Sequence, residues 1–92
     1  HIAALFPHHH SLVSPAEGFL TMSDSPKPPP ARMTASRALL ERCDSIFGIF
    51  TGEAKRGAFQ KFLSPTVTLE ECPAKLINRV SRGFVLTDLL GQ

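Results

Sequence analysis

The sequence predicts an all-α fold, a small helical hairpin plus a third helix with an extended Pro-rich N-terminal arm. Three observations carry that reading. Six of the eight prolines fall at or before residue 30. Beyond Arg32, apolar residues recur at three- and four-residue steps, the spacing of one helix face. Strand-like alternation is confined to residues 66–69. The chain of 92 residues accordingly divides into an extended proline-rich arm, 1–32, and a small helical unit, 33–92.

The arm opens with an apolar stub, residues 1–6, ended by Pro7. Pro7, Pro15 and Pro26 interrupt any regular hydrogen-bonded element. Pro26, Pro28, Pro29 and Pro30 favour polyproline II, a stiff form with a solvated backbone. Such a stretch spaces domains or docks in an aromatic groove. His8, His9 and His10 sit together, but an extended strand puts only His8 and His10 on one face. No Cys, Asp or Glu lies within five residues to complete a metal shell, so a solvated cluster is expected, with no metal and no cofactor.

The first helix is expected over the run Leu39, Leu40, Cys43, Ile46, Phe47 and Phe50, which falls on one side of a helical wheel. Thr34 or Ser36 can cap its start. The second runs from 53 to 63, with Ala54, Ala58, Phe59, Phe62 and Leu63 facing inward. Its loop to the first helix is short, so the two should form an antiparallel hairpin. The third segment starts near Thr68 or Glu71, which fit a capping box. It continues through Leu76, Ile77, Val80 and Phe84, with Gly83 breaking or kinking it. Leu86, Leu89 and Leu90 form an apolar terminal turn.

Composition narrows the function classes. The hydrophobic fraction of 42% is that of a folded chain. The net charge of +2 is short of a dedicated nucleic-acid binder. No apolar run reaches the ~20 residues of a spanning helix, so membrane contact would be peripheral. Cys43 and Cys72 match no zinc or redox spacing. They read as free thiols, with a disulfide as the rival. Every His lies in the arm, remote from both thiols, and Glu70 and Glu71 would diverge on a helix. No enzyme is therefore expected.

The expected function is that of a non-enzymatic structural or accessory subunit of a large multi-protein assembly. Phe47, Phe50, Phe59, Phe62, Pro28, Pro29, Leu89 and Leu90 are its expected partner-binding residues. The start at His1 rather than Met suggests a processed protein or a fragment. With the mild basicity and the few acids of the arm, a processed start fits an organelle, the mitochondrion in first place. Two alternatives stand beside it. One is an RNA-contacting subunit, using Lys55, Arg56, Arg79 and Arg82 toward RNA or anionic lipid. The other is an adaptor that binds through the proline arm.

Overall fold

The computed structural model describes residues 2–90, and they form a mixed α/β structure. The all-α expectation is overturned. Four strands make two two-stranded sheets, β1 (Phe19–Met22) with β2 (Arg32–Ala35), and β3 (Ser45–Phe50) with β4 (Arg82–Thr87). The helices are short, α1 over Arg37–Glu41 and α2 over Arg56–Leu63, with 3-10 segments at His10–Val13, Glu53–Lys55 and Pro73–Arg79.

The arm is not simply extended. β1 and β2 pair antiparallel, with Phe19 opposite Ala35 and Met22 opposite Arg32. Pro26, Pro28, Pro29 and Pro30 sit in the loop, residues 23–31, and Pro7 and Pro15 precede β1, so none of the six occupies a ladder position that needs an N–H. Residues 2–4 run along β2: the Ala35 N–H donates to the Ile2 carbonyl at 3.1 Å, and the Ala4 N–H to Thr34 Oγ1 at 2.8 Å. Leu12, from the His10–Val13 turn, is buried against Leu40, Leu69 and Leu76.

The expected first helix divides in two. Ser36 caps α1 by accepting from the Leu39 N–H at 3.0 Å, but the helix ends at Glu41. The run Ile46, Phe47 and Phe50 belongs to β3 instead. A run as short as Ile46–Phe50 satisfies both periods, and here β-branched and aromatic content favours the strand. Ile46 and Phe50 turn inward, while Phe47 and Ile49 point out. The expected third helix is likewise a 3-10 segment, Pro73–Arg79, followed by β4. Gly83, expected as a helix breaker, pairs with Ile46 inside the sheet. α2 occupies most of the segment expected to be helical.

β3 and β4 are parallel, so a crossover connects them. Residues 53–79 supply it and cover one face of the pair. Phe50 packs on Phe59 and Phe62, each ring centroid 5.3 Å away, with Cys72, Ile77 and Leu89 closing the cluster. The Pro73–Arg79 segment joins two cores. Leu76 enters the cluster of Leu12 and Leu40, and its neighbour Ile77 enters the cluster of Phe50. Cys43 and Cys72 are both free.

Candidate functional site

The proline loop between β1 and β2 is held by its own polar atoms. The Ser25 N–H donates to the Pro30 carbonyl at 3.0 Å, and Ser25 Oγ donates to the Lys27 carbonyl at 2.7 Å. The Pro28–Pro29 peptide bond is cis. Arg32, the first residue of β2, turns back under the loop. Its Nε donates to the Pro29 carbonyl at 3.1 Å, and its Nη2 to the Pro28 carbonyl at 2.9 Å. The guanidinium carbon lies 5.8 Å from the centre of the Phe6 ring, a cation–π contact. Nη1 takes part in none of the hydrogen bonds among the described residues. Lys27 stands exposed at the loop tip, its backbone pinned by Ser25.

Beside Arg32 lies a groove of about 310 Å³ between residues 3–6 and Met33. A second hollow, of about 530 Å³, lies between His10, Ser14, Phe19 and Met33. One end of the hairpin thus presents two cations, an aromatic ring and concave surface. That combination suits a small anionic ligand with an uncharged body.

His9 and His10 meet the same loop. His9 Nε2 lies 2.9 Å from Asp24 Oδ1, and His10 Nε2 lies 2.8 Å from Asp24 Oδ2. The His10 hydrogen bond holds the Asp24 carboxyl below its ordinary range, against slight desolvation and with help from His9. The sequence pairing of His8 with His10 is replaced. His8 takes a positive φ of 55°, with its N–H on the Glu70 carbonyl at 2.9 Å.

The other expected sites scatter. Phe50, Phe59, Phe62 and Leu89 are buried in the chain's own cores and have no face left for a partner. Phe47 and Leu90 are exposed, as are Pro28 and Pro29 in the loop. Lys55 and Arg56 follow the C-terminal end of β3, whereas Arg79 and Arg82 flank the N-terminal end of β4. The strands are parallel and six residues long, so roughly 17 Å separates the two groups. No single basic face results. Arg56 is also committed to Glu53, Nη2 to Oε1 at 2.6 Å, and that hydrogen bond lowers the Glu53 pKa and raises that of Arg56.

Lys27 and Arg32 were not among the expected site residues. Their signal was two basic residues flanking consecutive prolines, in a loop stiff enough to place them.

A family model described as glucosamine-6-phosphate isomerases/6-phosphogluconolactonase matches residues 1–86. The chain is 34% identical over 89 residues to the 6-phosphogluconolactonase of Borreliella burgdorferi, covering 97% of this chain and 38% of that protein. It is 42% identical over 69 residues to a probable chloroplastic 6-phosphogluconolactonase of Oryza sativa subsp. japonica, 74% of this chain and 21% of that one. With the human 6-phosphogluconolactonase it shares 35% over 63 residues, 68% of this chain and 24% of that one. The chain therefore spans between a fifth and two fifths of the length of these curated relatives. All three are named as enzymes and none as a subunit of an assembly. The expectations of a non-enzymatic structural subunit, an RNA-contacting subunit and an adaptor are overturned. The mitochondrial expectation finds no support; one relative is named for an organelle, the chloroplast.

Proposed function

We propose that this chain, which belongs to the glucosamine-6-phosphate isomerase/6-phosphogluconolactonase family, serves the hydrolysis of 6-phosphogluconolactone. The observation that carries the reading is the 34% identity, over 97% of the chain, to a protein named for that activity. Both activities in the family description concern a sugar bearing a phosphate on C6. A phosphate dianion remote from the reacting carbon is thus the element common to both. The proline hairpin has the chemistry to hold it. Lys27 offers a mobile point charge, and Arg32 a planar donor set already locked by the Pro28 and Pro29 carbonyls. The groove beside Arg32 has room for the sugar body.

In lactone hydrolysis, water adds to the C1 carbonyl and the ring C–O bond breaks, leaving the open-chain acid. The phosphate is chemically unchanged. Its binding energy positions the ring and limits the entropy lost in the reacting complex. Removing a phosphate contact should therefore raise KM more than it lowers kcat.

The test is steady-state hydrolysis of 6-phosphogluconolactone, followed by acid release against the spontaneous rate. Lys27→Met should cut kcat/KM by about tenfold or more, the loss of a single charge-assisted contact, while leaving hydrolysis of unphosphorylated gluconolactone unchanged. Equal loss on both lactones would overturn the phosphate role. Turnover of glucosamine 6-phosphate with no lactone hydrolysis would move the reading to the isomerase branch.

A further inference from the structure

We infer that His9, His10 and Asp24 form a site for one divalent transition-metal ion of the zinc class, which would tie the His10–Val13 turn to the proline loop. The inference is independent of the lactonase reading. Three ligands of two types that zinc accepts, two imidazoles and a carboxylate, converge on one point. His9 Nε2, His10 Nε2 and the Asp24 carboxylate offer ligand atoms within 4.8 Å of one another. The separations to the carboxylate oxygens, 2.9 and 2.8 Å, need open by only a few tenths of an ångström. That brings them to the edge of a tetrahedron with bonds of ~2.0–2.1 Å. The two imidazole rings sit 4.0 Å apart at an angle of 34°, and both aim Nε2 at the same carboxylate. The three donors leave a fourth position for water.

The site is also supported from behind. The His9 side chain is only 9% exposed, so its ring is held by packing. Its Nδ1 lies 2.8 Å from the hydroxyl of Ser11, a residue with no exposed surface. Metal-bound histidines characteristically donate their second ring N–H to such an oxygen, which sets the tautomer. Without metal, Nδ1 instead accepts from the Ser11 N–H at 3.1 Å, and Nε2–H faces Asp24. Binding exchanges the two tautomers: Nε2 gives its proton to solvent, Nδ1 takes one up from solvent so that the ring stays neutral, and Nδ1–H turns to the Ser11 hydroxyl. The Ser11 N–H then loses a partner, at the cost of one buried donor. The affinity should consequently be micromolar, weaker than a closed structural zinc site. The ligands come from adjacent residues in the chain and from Asp24 across a hairpin, a spacing that no linear motif reports.

The experiment is titration of the metal-stripped protein with Zn²⁺ against a chromophoric chelator, at neutral pH. Wild type should take up one ion per chain. His10→Ala and Asp24→Asn should each weaken uptake by about tenfold or more. Both side chains are more than half exposed, at 66% and 56%, so the fold should survive, as far-UV circular dichroism would check. Cys43→Ser should leave uptake unchanged. Absence of saturable binding at micromolar zinc would overturn the inference and leave the cluster a hydrogen-bonded clamp. So would undiminished binding in the His10→Ala, Asp24→Asn double variant.

Discussion

At the residue scale, two glycines and one isoleucine set how closely the crossover approaches the sheet. A Cβ on Gly83 would meet the Ile77 carbonyl oxygen, and Ile77 Cγ2 at 2.7 Å. A Cβ on Gly48 would meet only the far end of the same side chain, Ile77 Cδ1, with the next atoms at 3.6 Å or more. The two positions look alike in sequence and differ in what must yield. A side-chain tip can rotate away, whereas a backbone carbonyl in a packed segment cannot. Gly83→Ala should cost about 1–3 kcal/mol, and Ile77→Val should not relieve it, since Cγ2 and the carbonyl stay. Gly48→Ala should cost less, and Ile77→Val, which deletes Cδ1, should recover part of the loss. Urea denaturation of the two single and two double variants checks this. Equal rescue at both positions would place the clash wrongly. Gly52 differs again: its φ of 85° makes the turn after β3, and its N–H donates to Asp88 Oδ1 at 3.0 Å, tying together the ends of β3 and β4.

At the element scale, α2 is an eight-residue helix with no side-chain cap. A helix this short is unstable in isolation, so its burial of Phe59 and Phe62 against Phe50 on β3 must hold it. Phe62→Ala should cost about 3–5 kcal/mol, a large part of what a small domain has to lose. The expected outcome is a chain with little residual structure by near-UV circular dichroism. A variant that retains its cooperative transition would show that α2 is not seated on β3. The spacing of Phe59 and Phe62 was enough to find this helix, because it is covered on one side only; Leu63, Ala54 and Ala58, expected on the same inward face, are exposed. β3 and β4, expected as helix, are strands. A six-residue strand holds too few repeats to separate a period of 2 from one of 3.6, and β4 follows a 3-10 segment with no proline between them.

At the scale of the whole molecule, the β3–β4 pair is finished on one side only. Parallel sheets occur with both faces covered. Here α2 and the 3-10 segment cover one face, while Phe47, Ile49, Phe84 and Leu86 stand 44–68% exposed on the other. Phe47 and Phe84 stack across the pair with centroids 4.9 Å apart. The radius of gyration, 13.2 Å, exceeds the ~12 Å of a compact chain of this length. An open apolar face beside unpaired strand edges favours association. This chain by itself should sediment as concentration-dependent oligomers. Phe47→Lys with Phe84→Lys should shift it toward monomer in analytical ultracentrifugation. A monomeric wild-type chain would contradict the exposure of that face.

Local sequence was enough to place the Ser36 cap and the amphipathic α2 and to exclude the prolines from ladder positions. Prolines exclude ladder positions, Ser36 caps α1, and Phe59 with Phe62 mark the buried side of α2, all through interactions within a few residues. Only the tertiary structure decided that Ile46–Phe50 pairs with Gly83–Thr87, since a strand has no hydrogen-bonding partner until a distant segment supplies one. The same holds for the candidate sites. Arg32 meets Phe6, and His9 and His10 meet Asp24, only because residues 2–6 lie along β2 and the hairpin folds the proline loop back over the 3-10 turn. Side chains that converge from separate segments leave no periodic trace in the chain that carries them.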